Sequence, residues 1–177
     1  MDRFLAGVER RAYRMAWIAT SNREDALDIV QDAMLRLVKN YAGHPEAEWG
    51  PLFQRIVQSV IRDWYRRHQV RNRWRQWLGF GKGAADDEAA GDPLETTIAS
   101  PAPGPDGRLV SQHAIDALDA ALHALPLRQQ QAFLLRQWEG LSVADTAAAM
   151  GISAGSVKTH YSRAVQALRD KLEDHWP

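Results

Sequence analysis

Between Leu78 and Gly107 the chain changes character, and that break constrains everything it can fold into. Gly79, Gly81, Gly83, Gly91, Pro93, Pro101, Pro103, Gly104, Pro105 and Gly107 punctuate a run rich in Ala and Asp. Such a run has no apolar periodicity and cannot bury enough surface to offset the entropy of ordering it. It reads as a flexible, acidic linker over 78–109. The chain is therefore expected to be two small domains, 1–77 and 110–177, rather than one core.

On both sides of the break the apolar residues recur at helical spacing and never alternate as in a strand. Phe4, Val8, Ala12, Met15 and Ala16 define a first helix ending near Thr20. Ser21 with Glu24 fits a capping box. It would open a second helix with a buried stripe of Ala26, Ile29, Val30, Ala33, Met34, Leu37 and Val38. Gly43, His44 and Pro45 break that helix, and Gly50-Pro51 suits the start of a third, through Phe53, Val57, Val60, Ile61 and Trp64. Beyond the linker, Ile115, Leu118, Ala121 and Leu122 form a stripe, and a helix through Phe133, Leu134, Leu135 and Trp138 stops at Gly140. Ser142 and Ser153 are placed to cap two more. The fold class is all-α.

The net charge of zero conceals an uneven distribution. Residues 1–77 carry 14 basic and 9 acidic side chains, 78–109 carry 2 and 6, and 110–177 carry 6 and 7. The basic excess gathers at the end of the third helix: Arg55, Arg62, Arg66, Arg67, Arg71, Arg73 and Arg75, with Trp64, Tyr65, Trp74 and Trp77 interleaved. Guanidinium groups neutralise phosphates and stack on bases, and aromatic faces replace the stacking that unpaired bases lose. The chain has no Cys, and its six His are scattered, so neither disulfides nor a metal centre is expected. No serine-histidine-aspartate, metal or phosphate-loop pattern appears, so neither an enzyme nor a cofactor or small-molecule substrate is expected. No apolar run approaches the ~18 residues of a membrane span, which points to the cytoplasm.

Residues Ser142 to Leu168 have the spacing of a helix-turn-helix. Ala147 is small where the helices would cross, Gly151 suits the turn, and Ile152 and Val157 anchor the second helix. Its outward face would then carry Ser153, Ala154, Ser156, Lys158, Thr159, Ser162 and Arg163, suited to the major groove. A helical hairpin with a glycine corner is the bland alternative.

The run "LPLRQQQAFLLRQWEGLSVADTAAAMGISAGSVKTHYSRAVQALRDKL" resembles region 4 of sigma-70 factors of the extracytoplasmic-function type. "REDALDIVQDAMLRLVKNY" resembles their region 2.2, and "LFQRIVQSVIRDWYRR" their regions 2.3 and 2.4. The resemblance implies a transcription initiation factor: a region 2 bundle, a tether and a region 4 helix-turn-helix, with core RNA polymerase (β′ clamp and β flap), promoter DNA and an anti-sigma factor, which can be membrane-bound, as partners. It assigns Asp25, Asp28, Gln31, Asp32 and Leu35 to the polymerase clamp; an Asp32–Arg36 pair on a solvated face is the plainer reading. It assigns the −10 element to His44, Trp49, Ser59, Arg62, Tyr65, Arg66 and Arg67, with a flipped base held between the Gly43–Trp49 loop and Ser59. Asn is common in the family where Ser59 stands. The −35 element falls to Ser156, Lys158, Thr159, Ser162 and Arg163. The linker would occupy a polymerase channel as a nucleic-acid mimic, or serve only as a tether. A response-regulator-type transcription regulator is the alternative, since "GSVKTHYSRAVQAL" resembles that class too; it would need alternating strands and helices in the first half.

Overall fold

The computed structural model describes residues 1–77 and 105–172, and every regular element among them is helical. The strands that a receiver domain would need are absent from the described residues. Three helices, α1 (Asp2–Thr20), α2 (Arg23–Tyr41) and α3 (Glu46–Trp77), pack as an antiparallel-like series in which α2 lies against both neighbours. The second group is α4 (Pro105–His123), α5 (Leu127–Phe133) running on into a π turn over Leu134–Trp138, α6 (Val143–Met150) and α7 (Ala154–Lys171). The linker reading for 78–104 falls outside the described residues. Helix α4 begins at Pro105, inside the stretch read as linker, with proline in the first turn, where its missing N–H is no loss.

The first group is held by a dry layer. Ile18, Leu37, Phe53, Val57 and Ile61 are each no more than 1% exposed, and Ala16, Ala26 and Ala33 let the helix backbones approach closely. Each large apolar side chain so buried contributes about 1.5–3 kcal/mol. Phe4 sits edge-on to Phe53 at 6.1 Å and tilted against Trp49 at 5.8 Å, fixing α1 over the start of α3.

Several boundaries differ from expectation, for local reasons. Ser21 does not cap α2; it ends α1 in the left-handed region, at φ 52°, and Asn22 takes the cap, its Oδ1 accepting from the Asp25 amide at 3.0 Å. Helix α3 opens at Glu46 instead of Pro51, so Pro51 lies within it. The carbonyl that proline leaves unpaired, that of Ala47, belongs to an exposed residue where water can replace the bond. The α-helical part of α5 ends at Phe133, where the i→i−5 bond from Glu139 to Leu134 widens the ladder before Gly140 turns the chain at φ 67°. Val38, read as buried, is 41% exposed, and Ile115 and Leu118 are 49% and 36% exposed, so those two stripes are narrower than their spacing suggests.

The helix-turn-helix forms as expected. Ser142 and Ser153 cap α6 and α7 by accepting from the amides of Asp145 and Ser156. Gly151 ends α6 at φ 65°, and Val157 is fully buried behind the corner. No helix among the described residues is long and apolar enough to cross a membrane.

The corner yields a stability prediction. A methyl group on Gly151 would meet no atom within 4 Å, so Gly151→Ala is penalised by backbone conformation alone, about 1–2 kcal/mol. Gly155, inside α7, would place its methyl in ordinary contact with Ser153 Oγ at 3.9 Å, and Gly155→Ala should gain about 0.4–1 kcal/mol. Chemical denaturation of the two variants should move the midpoint in opposite directions.

Candidate nucleic-acid interface

Three surfaces gather the residues singled out by sequence. On α2, Asp25, Asp28 and Asp32 line a cleft whose far wall, on α3, is Val60, Trp64, Arg67, His68 and Arg71. The expected Asp32–Arg36 pair forms, with Arg36 Nε and Nη2 donating to the two carboxylate oxygens at 2.9 and 2.7 Å. Being exposed and one turn apart, it contributes only a few tenths of a kcal/mol and leaves the face open to a partner. Gln31 and Leu35 lie on the outer side of the same helix. Leu35 is 69% exposed, and Leu27 and Val38 continue an apolar strip beside it.

The second surface is α3 with the short turn before it. His44 stands exposed in that turn, its Nδ1 2.9 Å from Glu48 Oε2 and its ring edge-on to Tyr41. Trp49 is not in a loop. It lies on the first turns of α3, 9% exposed, with Nε1 donating to the Tyr41 carbonyl at 3.2 Å. Its ring is largely enclosed by the core. Ser59 and Tyr65 are half-buried on α3, while Arg66 and Arg67 are exposed. Asp63 gathers both arginines, through its carboxylate to Arg66 at 3.2 Å and its carbonyl to Arg67 at 3.3 Å. Trp64, partly buried, stacks on His68 at 4.7 Å.

The third surface is α7. Lys158, Thr159, Ser162 and Arg163 are exposed. Ser156 is half-buried and tied to the cap, its Oγ 2.9 Å from that of Ser153. Behind this face, Tyr161 stacks on Phe133 and receives the Arg136 guanidinium over its ring at 5.9 Å. Arg136 is held there by the Leu141 carbonyl.

Arg62 has a different neighbourhood from the rest of its set. Its Nη1 donates to the Met150 carbonyl at the end of α6, 3.1 Å away, and Arg128 donates to the same oxygen at the same distance. Burial first, and then the Arg128 charge, push the Arg62 guanidinium below its usual range, with Asp63 opposing. The contact belongs to a polar seam between the two helical groups that sequence reasoning missed altogether. Gln54 Nε2 donates to Glu139 Oε2 at 2.8 Å, Gln130 Nε2 to the Ile18 carbonyl at 3.0 Å, and Gln131 Nε2 to the Gln58 carbonyl at 3.5 Å. Arg14 grips both oxygens of Asp119 at 2.6 Å, and Ser21 Oγ meets His123 Nδ1 at 2.9 Å. The one available signal was amides in phase with apolar stripes: Gln54 and Gln58 in α3, Gln130 and Gln131 in α5.

The seam is incompletely satisfied. The amide oxygens of Gln54, Gln58 and Gln131 and the Oε1 of Glu139 are buried without a protein hydrogen-bond partner. A buried orphan of this kind costs about 1–3 kcal/mol. Burial raises the Glu139 carboxyl above its usual range, with Arg11, 3.8 Å away, pulling the other way. Burial likewise lowers His123, although Asp119 opposes it.

Residues 115–168, the end of α4 through most of α7, match the sigma-70 region 4 family. Over 165 residues the chain is 29% identical to the extracytoplasmic-function RNA polymerase sigma factor SigE of Mycolicibacterium smegmatis, covering 93% of this chain and 58% of that protein. It is 29% identical to the RNA polymerase sigma-E factor of Streptomyces antibioticus, covering 84% of this chain and 71% of that one. The chain is thus similar to sigma factors of the extracytoplasmic-function type over most of its length, and its residues 115–168 match sigma-70 region 4. Its fold is that of the sigma factor RpoE of Bartonella quintana, solved with the anti-sigma factor NepR: TM-score 0.65, 21% identity, 97% of this chain and 96% of that one. The helix-turn-helix of α6 and α7, up to Leu168, thus lies within the stretch that matches sigma-70 region 4.

Glu139 offers a test of the seam by pH. A carboxyl whose folded pKa is raised binds its proton more tightly when folded, so between the usual value and the raised one stability falls as pH rises. Glu139→Gln should raise the thermal midpoint by a few degrees at pH 7. The gain should shrink as pH falls and Glu139 itself takes a proton. A midpoint difference that is flat in pH would contradict the assignment.

Proposed function

We propose that this chain is a transcription initiation factor that brings core RNA polymerase to promoter DNA. The observation that carries the reading is the match of 115–168 to sigma region 4, falling on a helix-turn-helix whose second helix shows an exposed polar and basic face. The helical group ahead of it supports the same reading, because it combines an acidic and apolar outer face on α2 with a basic, aromatic-bearing α3. In this reading 1–77 serves as region 2 and 110–177 as region 4, with the ordered helix α4 reaching back to Pro105.

Each surface has a task that its chemistry suits. The α2 face of Asp25, Asp28, Gln31, Asp32 and Leu35 meets a basic, partly apolar helix of the polymerase clamp, with charge setting orientation and Leu35 supplying buried area. On α3, Arg62, Arg66 and Arg67 neutralise the phosphates of a melted −10 strand and Tyr65 stacks on it, while His44 and Ser59 border the pocket for an extruded base. On α7, Lys158, Thr159, Ser162 and Arg163 enter the major groove of the −35 element, and the capped N-terminus of α7, with Ser156, faces phosphate. No step requires bond making by the chain. An anti-sigma partner would act by covering these faces.

Two substitution sets test the assignments separately. Asp28→Arg with Asp32→Arg should weaken capture of core polymerase in a pull-down by tenfold or more; unchanged capture would remove α2 from the polymerase interface. Lys158→Ala and Arg163→Ala should each weaken binding to a −35 duplex by ~1–3 kcal/mol if the contact is to a base edge. If neither moves the affinity in a gel-shift titration, α7 is not the reading helix.

A further inference from the structure

The cleft between α2 and α3 has a volume of about 470 Å³, the size of a small-molecule site, and the surfaces assigned above use it only in part. Helical spacing builds its walls. Asp25, Asp28 and Asp32 stand three and four residues apart, so they share one side of α2. Trp64, Arg67 and Arg71 repeat that spacing on α3, with His68 beside them. The apolar lining comes from Ile29 and Val60, which are 3% and 2% exposed. Trp64 and His68 lie ring on ring at 4.7 Å and 22°, a flat aromatic step in the same cleft. We propose that this cleft binds a guanine mononucleotide, with the base edge on the aspartates, the base plane against the aromatic step and the phosphates on Arg67 and Arg71. The site borrows its aspartates from the face given to polymerase and Arg67 from the face given to DNA, but it rests on neither assignment.

Three observations define the ligand class. First, the two charged walls share one cleft without meeting. Among the described residues no guanidinium of α3 pairs with a carboxylate of α2. Asp32 is taken by Arg36 of its own helix, Arg67 Nε donates to the Asp63 carbonyl at 3.3 Å, and Arg71 Nη2 donates to His68 Nδ1 at 2.8 Å. The carboxylates of Asp25 and Asp28 form no ion pair among the described residues. A fitting ligand therefore presents hydrogen-bond donors at one end and negative charge at the other. A polyamine would meet the arginines, and a bare phosphate the aspartates, with like charge in each case. Second, an ionised carboxylate accepts two parallel hydrogen bonds. Guanine is the base whose pairing edge offers two adjacent N–H donors, at N1 and N2, whereas adenine sets a lone pair at N1 beside its single amino group. Third, the apolar lining and the aromatic step suit a flat heterocycle. Stacking accepts any base and supplies affinity, so the choice of base falls to the aspartates. At the other end, guanidinium forks match phosphate oxygens in geometry as well as in charge.

Titration calorimetry of the full chain with GDP and ADP tests the assignment. GDP should bind at one per chain and at least tenfold more tightly than ADP. Asp25→Asn combined with Asp28→Asn should weaken GDP at least fivefold and leave ADP within twofold, so that the preference for guanine is lost. Arg71→Gln, at an exposed position, should weaken both nucleotides at least threefold and leave that preference in place. Unchanged helical circular dichroism, with ADP still bound by the aspartate variant, separates a lost contact from a lost fold. Absence of GDP binding, or binding that neither substitution moves, would overturn the site. Equal affinity for GDP and ADP in the parent chain would overturn the guanine ligand. A guanine-bearing single-stranded tetranucleotide should displace bound GDP only at tenfold or higher excess. Displacement at equal concentration would overturn a free nucleotide as the ligand and put the guanine of a strand in its place.

Discussion

Helix α3 has to satisfy two neighbourhoods at once, and the rest of the structure follows from how its faces are divided. One face is hydrocarbon: Phe53, Val57, Val60 and Ile61 close the layer shared with α1 and α2. The adjacent face is amide and guanidinium, Gln54, Gln58 and Arg62, and meets the second helical group. The remainder is exposed and basic. A helix offers such stripes about 100° apart per residue, so one segment can carry a core, a seam and a binding face without conflict. The first is strong because it excludes water; the second is weaker because several of its polar atoms would be better paired in water.

Much of the fold could be read from the sequence, and for a common reason. Helix existence depends on periodicity, which is written in the chain: α2 through Tyr41 and the α6–α7 corner at Gly151 stand where their spacing places them. Helix ends depend on competition between adjacent residues, which spacing does not decide. Ser21 and Asn22 are both good caps, and Asn22 prevails because Ser21 is already in the left-handed turn that ends α1. Pro51 reads as a helix start, but the chain coils earlier because the lost bond falls on exposed backbone.

The candidate site was legible where a residue's role is local and hidden where it depends on the other half of the chain. The exposure of Lys158, Thr159, Ser162 and Arg163 follows from the anchoring of Val157 and Ala164 on the opposite face of α7. Trp49 could not be placed, since a tryptophan near a glycine-proline pair reads as loop until Phe4 and Tyr41 are seen to enclose it. The Arg14–Asp119 and Gln130–Ile18 contacts join residues more than a hundred positions apart, and nothing local in either segment announces them.

Function on this account belongs to an assembly, with each half supplying a surface that is weak alone: α7 sits in a domain of nearly balanced charge, and α3 carries its arginines next to Asp63. The most direct measurement is therefore promoter melting by the reconstituted complex. Core polymerase with this chain, but not core alone, should make thymines of the −10 region reactive to permanganate on promoters selected from a genomic library. Reactivity that is absent with the chain on every such promoter, despite binding to core, would contradict the central claim.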